Sequence, residues 1–365
     1  MTADLFTPLS LRETEVPNRV MVSPMCQYSC DARDGVATDW HFQHLASRAV
    51  GGAGLVMAEA TAVEPRGRIS PEDLGIWSDD HVPPLADIAA FVREQGSVPA
   101  IQLAHAGRKA STARPWEGRD PLQSDEGGWT AVGPTDDPYP YDGDAPPTRA
   151  LSPADIADVT EAFADAARRA REAGFEVAEV HAAHGYLLHE FLSPVTNTRD
   201  DEYGGDFESR IRFPLEVVDA VRSVWPEDRP VFLRISATDW LPDRESWTVA
   251  QSIRFADRAA DHGVDLVDVS GGGIHPDQQL PDAGPGYQVD YGHRVTDGVE
   301  RDIAVGAVGG ITTPEQADEL VRNGRADLAV IGREHLRDPY FTLHAARKLG
   351  REDAVDVPPQ YHRAF

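Results

Sequence analysis

The sequence predicts a (β/α)8 barrel, one α/β domain spanning residues 1–365. Three observations predict it. Eight short, β-branched apolar runs recur along the chain, each followed by a helical pattern. Several runs are apolar throughout, as parallel strands buried on both faces should be. The first run leads into Pro24-Met25-Cys26-Gln27-Tyr28 rather than a glycine-rich phosphate turn, which disfavours a doubly wound open sheet.

In chain order the predicted strands are Arg19–Ser23, Gly54–Glu59, Pro99–Leu103, Phe175–His181, Val231–Ser236, Asp265–Ser270, Ile303–Val308 and Asp327–Ile331. Predicted helices include Ala154–Ala173, Arg210–Val224, Thr248–His262 and Pro314–Asn323, where apolar residues return every three or four positions. Ser152-Pro153 and Thr313-Pro314 place a capping hydroxyl before a proline at the first helical position. Ala173-Gly174 and Asn323-Gly324 read as helix stops. Ser111–Leu151 breaks the rhythm, being rich in Pro, Gly and Asp with Trp116, Trp129, Tyr139 and Tyr141. As an insertion after the third strand it is expected to overhang the C-terminal rim as a lid.

Apolar residues make up 41% of the chain, enough for a sizeable core. Acids number 61 against 34 basic residues, a net charge of -27, so nucleic acid and anionic membranes are poor partners. All the basic residues except Lys109 and Lys348 are arginines. This acidic, lysine-poor composition resembles that of halophilic proteins, in which salt screens self-repulsion. Cys26 and Cys30 are the only cysteines and provide neither a disulfide framework nor an iron–sulfur or zinc set. With no apolar signal core at the N-terminus and no membrane-length run, a soluble cytoplasmic protein is expected.

The strand ends carry unlike functional groups. Most informative is Val180-His181-Ala182-Ala183-His184-Gly185-Tyr186, which sets two imidazoles and a phenol at one strand end. Neutral imidazoles can donate to a substrate oxygen, and a phenol can deliver a proton. Capping or packed histidines are the structural alternative. Ser23, Pro24, Met25, Cys26 and Tyr28 follow the first strand; Glu59, Ala60 and Thr61 the second; Gln102 and His105 the third. Arg234 is a cation inside an apolar strand and needs an anionic partner, either a ligand or a structural carboxylate. Gly309-Gly310 and Gly332-Arg333 end the last two strands, where barrels usually bind phosphate.

These residues together resemble the old yellow enzyme family of flavin-dependent ene-reductases, in its thermophilic-like class. The matching segments include Ser23-Pro24-Met25-Cys26, Ile101-Gln102-Leu103-Ala104-His105-Ala106-Gly107-Arg108-Lys109, His181-Ala182-Ala183-His184-Gly185-Tyr186, Asn197-Thr198-Arg199-Asp200-Asp201-Glu202-Tyr203-Gly204-Gly205 and Ile331-Gly332-Arg333. The resemblance implies one non-covalent FMN, contacted by Ser23, Pro24, Met25, Cys26, Ala60, Gln102, Arg234, Gly332 and Arg333. It places Tyr28, His181, His184 and Tyr186 on the substrate side. It implies hydride transfer from NADPH or NADH through FMN to the C=C bond of an α,β-unsaturated carbonyl compound, with Tyr186 as proton donor and no metal. Cys26 would tune the flavin. The tail 352–365 would carry Arg363 into the site of a neighbouring subunit, implying a homo-oligomer. The insertion is longer than in compact bacterial relatives. Two other readings remain open: a metal-dependent barrel hydrolase or lyase using His181 and His184 with His105 and Glu59, and a flavin-binding sensor without turnover. A Schiff-base aldolase is weaker, because neither lysine ends a late strand.

Overall fold

The computed structural model describes residues 3–364 apart from positions 144, 146 and 283. Eight parallel strands close a barrel: β1 (Val20–Val22), β2 (Leu55–Ala62), β3 (Val98–Ala104), β4 (Val177–Ala182), β5 (Val231–Ser236), β6 (Leu266–Ser270), β7 (Ala304–Val308) and β8 (Leu328–Ile331). Each pairs with the next in sequence, and Ile331 opposite Val22 closes the ring.

Helices pack outside because their apolar stripes require it. The helix Pro153–Glu172 starts at Ser152, whose hydroxyl accepts from the Asp155 N–H at 3.2 Å. Its buried stripe of Ile156, Val159, Phe163, Ala167 and Ala170 follows the helical repeat. Thr313 caps Pro314–Arg322 in the same way. Helices that the sequence reading did not single out include Asp39–Val50, Val82–Glu94, Val289–Gly298 and Phe341–Lys348.

Inside the barrel, side chains at alternate positions share a face and stack in layers. Met21, Met57, Ala100, Val177, Phe232 and Leu266 form an apolar floor. Leu11 and Val16 join it from an antiparallel hairpin, Leu9–Leu11 with Thr14–Val16, that closes the N-terminal end. Two residues further along the same strands come Gln102, Glu179, Arg234 and Asp268, all buried. Two further still come His181, Ser236 and Ser270, at the rim. The strands are therefore not apolar on both faces; the inner face turns polar toward the C-terminal end.

Seven of the eight strands differ in their bounds from the sequence reading, most by one residue at an end; β2 and β4 differ by more. β2 extends to Ala62, because a bulge between Ala58 and Ala60 takes up Glu59 and pairing resumes at Ala60 opposite Gln102. Ala60 and Thr61 thus lie on the strand rather than beyond it. Similarly, β4 begins at Val177 and carries His181 within it, opposite Arg234. The segment 111–151 is ordered around two 3-10 turns, Pro115–Glu117 and Ser124–Glu126, and a short parallel pair, Ala131–Gly133 with Thr148–Ala150. Positions 144 and 146 of that segment lie outside the described residues. Among the described residues no helix is long and apolar enough to cross a membrane.

Candidate active site

The turn after β4 is held from four directions. His184 takes a left-handed conformation (φ 61°). Its backbone N–H donates to Ser236 Oγ at 2.9 Å, and its carbonyl accepts from Lys109 Nζ at 2.7 Å. Its Nε2 lies 2.8 Å from Ser270 Oγ. The Gly185 N–H donates to His189 Nδ1 at 2.9 Å. Tyr186 then begins a short buried helix, Leu187–Leu192, which the sequence reading did not predict. The ring of His181 stands edge-on to His184 at 5.2 Å and to Tyr186 at 5.3 Å. Burial, then the nearby charge of Arg234, pushes both imidazoles well below the usual histidine range, so both are neutral at pH 7. Among the described residues the buried His181 Nδ1 has no hydrogen-bond partner. Burial raises the Tyr186 phenol well above its ordinary range, keeping its proton in place.

Gly185 is the tightest point of this turn. It has φ 70°, and a Cβ there would sit 2.1 Å from the Gly273 carbonyl oxygen. Gly185→Ala is expected to displace His184 and Tyr186 together and to cost about 1–3 kcal/mol. A thermal melt of the variant checks this; an unchanged Tm would contradict it.

Beneath the imidazoles lies the charged layer. Gln102 Nε2 donates to Glu179 Oε1 at 2.6 Å, and Arg234 donates to Ser23 Oγ at 3.1 Å. Arg234 Nε is 3.4 Å from Asp268 Oδ2. Of the two partners anticipated for Arg234, the structural carboxylate is present in Asp268; among the described residues Arg234 Nε, Glu179 Oε2 and both Asp268 oxygens make no hydrogen bond. Burial raises both carboxyls, and Asp268 raises Glu179 further.

Two cavities open beside this centre. The larger, about 610 Å³, is lined by Met25, Gly309, Gly310, Gly332 and Arg333 together with Gln288 and Thr312. Gly309 and Gly310 have φ 128° and 69°, conformations that favour glycine. The Arg333 side chain lines this cavity and pairs with no carboxylate among the described residues. The second, about 400 Å³, lies between the barrel rim and the insertion; Tyr28, Lys109 and Tyr186 meet Arg119, Tyr139 and Tyr141 there. Ala60 and Tyr186 also share a small hollow. This donor set fits FMN: a buried guanidinium with Ser23 as its hydrogen-bond partner and an amide at one end, and glycines beside an arginine that makes no ion pair among the described residues at the other.

Cys26 is half-buried, and its thiol is pushed up by burial and by Glu59. Glu59 accepts from the Gln27 N–H at 2.9 Å and lies 3.4 Å from His41. His105 bonds Glu64 at 2.7 Å. Against the burial that opposes it, His105 and Arg66 hold the Glu64 carboxyl down at about 2. His105 and Glu59 thus serve other partners, and among the described residues no group of three or more His, Cys, Asp or Glu is placed to hold a metal. Arg363 lies in the exposed tail and lines neither large cavity.

Several residues here escaped the sequence reading. Glu179 and Asp268 were detectable as lone acids within apolar runs. Ser236 and Ser270 carry no distinguishing signal. The position of Lys109 past the third strand gives no sign of its partners; its ammonium donates to the His184 and Gly273 carbonyls, at 2.7 and 3.0 Å.

Residues 4–352 match the model of the NADH:flavin oxidoreductase / NADH oxidase family. An NADPH dehydrogenase of Geobacillus thermodenitrificans is 46% identical over 365 residues, covering 100% of this chain and 99% of its own. The NADPH dehydrogenase of Bacillus subtilis is 43% identical over 366 residues, covering all of both chains. Among solved structures, morphinone reductase in complex with tetrahydroNAD superposes with a TM-score of 0.75 at 28% identity, over 98% of this chain and 93% of that one. A 2-naphthoyl-CoA reductase superposes with a TM-score of 0.84 at 26% identity, and this chain spans 53% of its length. The chain belongs to the NADH:flavin oxidoreductase / NADH oxidase family. It is accordingly a flavin oxidoreductase that uses FMN and a reduced nicotinamide nucleotide.

Proposed function

We propose that the chain is an ene-reductase that reduces the activated C=C bond of α,β-unsaturated carbonyl compounds. The observation that carries this reading is the pair of uncharged imidazoles beside a phenol that retains its proton. Ser23, Gln102 and Arg234 would hold the polar edge of the flavin ring system, with Pro24, Met25, Cys26 and Ala60 along it. Gly309, Gly310, Gly332 and Arg333 would hold its phosphate. When bound, FMN relays hydride from the nicotinamide to the substrate carbon. His181 and His184 donate to the substrate carbonyl oxygen and make the β-carbon electrophilic, with His184 Nδ1 available because Nε2 faces Ser270. Tyr186 delivers the proton to the α-carbon. Tyr28 contacts the bound carbonyl compound, and Cys26 adjusts the flavin's potential from its half-buried position. The test is anaerobic: NADPH should bleach the flavin, and cyclohexenone should restore its colour. A reduced flavin that cyclohexenone leaves bleached for hours would sink this reading.

Three features accompany this proposal. The insertion 111–151 acts as a lid, supported by its contribution to the wall above Tyr28 and Tyr186. The tail 352–365, of which position 365 lies outside the described residues, carries Arg363 to a neighbouring copy in a homo-oligomer. The exposure of Arg363 supports this. A halophilic character is supported by the net charge of -27. The Tm is expected to rise by several degrees on going from about 0.1 to about 2 M KCl, as salt screens self-repulsion. A flat or falling Tm would contradict it.

A further inference from the structure

We propose that Arg119 binds a phosphate of the reduced nicotinamide nucleotide at the mouth of the 400 Å³ cavity, and so offsets the repulsion this chain exerts on its own reductant. The inference deepens the proposed function by naming how one substrate is recognised. It rests on the use of a reduced nicotinamide nucleotide and not on the identity of the oxidising substrate.

Arg119 belongs to the insertion and lines the same cavity as Tyr28, Lys109 and Tyr186. Its side chain makes no hydrogen bond or ion pair among the described residues. The neighbouring cations are committed elsewhere. Lys109 donates to two backbone carbonyls, and Arg114 pairs with Asp31 at 2.8 Å. Arg119 also has φ 63°, directly after Gly118 at φ 116°. A non-glycine residue in that region is costly, and such cost is kept where it aims a side chain. The charge of Arg119 reaches the phenols of Tyr28, Tyr141 and Tyr186, where it opposes the effect of burial.

The need for such a cation follows from composition. A nicotinamide dinucleotide carries several negative charges, and the protein carries a net -27. Its approach is opposed beyond the screening length and favoured only where a free cation faces the path. Asp120 and Asp142 also line the cavity, and neither pairs with Arg119. They would repel a misplaced phosphate, which leaves Arg119, among the described residues lining the cavity, as the uncommitted cation that can anchor an anion.

The experiment uses oxidised holoenzyme, titrated with the unreactive tetrahydro forms of NADPH and NADH and with a neutral phenol, following the flavin absorbance. R119A is expected to raise the Kd of tetrahydroNADPH at least about tenfold, to flatten its salt dependence and to leave the phenol Kd unchanged. R119K should recover most of the lost affinity. Equal weakening of both nucleotides assigns the pyrophosphate, and weakening of tetrahydroNADPH alone assigns the 2′-phosphate; either supports the proposal. Unchanged nucleotide affinity overturns it. So does a phenol Kd that rises by the same factor, which would mean that Arg119 only shapes the insertion. A carboxylated enone that loses affinity in R119A while both nucleotides keep theirs also overturns it. Failure of cyclohexenone to reoxidise the wild-type flavin would remove the ene-reductase reading and leave this titration standing.

Discussion

Replacing His181 or His184 with alanine lowers kcat/KM for cyclohexenone by at least about 10²-fold in each variant, while FMN stays bound. The magnitude is that of removing one preorganised donor from a transition-state oxygen. Preorganisation is visible in the turn itself: Ser236, Ser270 and Lys109 fix His184 before any substrate arrives. Burial keeps the imidazoles uncharged, so each presents one N–H donor and one acceptor nitrogen. Neither histidine lines the 610 Å³ cavity proposed for the flavin phosphate, so flavin retention is expected. Asparagine at either position keeps a donor and should fall between alanine and wild type. Stopped-flow oxidation of the reduced variants by cyclohexenone checks this. Rates equal to wild type would show that the two imidazoles serve structure alone.

The second large effect concerns Arg234. Arg234→Met removes the cation that faces Glu179 and Asp268, both buried. Breaking a buried pair by removing one partner costs about 3–5 kcal/mol. The variant should also lose FMN, because Arg234, whose side-chain hydrogen bond goes to Ser23, is the cation proposed to hold the polar edge of the flavin. The loss of stability should depend on pH. Both carboxyls already sit above their ordinary range through burial, and without Arg234 they rise further. The folded variant then retains protons that the unfolded chain releases above about pH 4, so its stability falls as pH rises. The gap in Tm between variant and wild type should therefore be wider at pH 8 than at pH 5.5. A gap that is constant or narrows with rising pH would contradict this assignment.

What the sequence revealed, and what it concealed, follows from which physical signals are local. Val231–Ser236 was predicted and found with the same bounds, since β-branched residues between turn signals mark a buried strand. Ser152 and Thr313 were readable as caps for the same local reason. The end of β2 was not, because a bulge at Glu59 is a property of pairing with β3. The charged layer was half legible. Arg234 stood out in its strand, but its proximity to Asp268 depends on strand register, which only the closed barrel sets. Arg119 and Lys109 reach the site through loops whose course no periodicity encodes. The proposed flavin contacts Pro24, Met25 and Ala60 rest on family resemblance alone; nothing in their own chemistry marks them.

The most direct test of the central claim follows an isotope. Cyclohexenone is reduced in ordinary water with NADPH that carries deuterium at the transferred position, and the product is examined by NMR and mass spectrometry. Two neutral imidazoles holding the carbonyl oxygen direct hydride to the β-carbon, so the product should be cyclohexanone with deuterium at that carbon and protium from solvent at the α-carbon. Deuterium on a carbinol carbon, or at the α-carbon, would contradict the account.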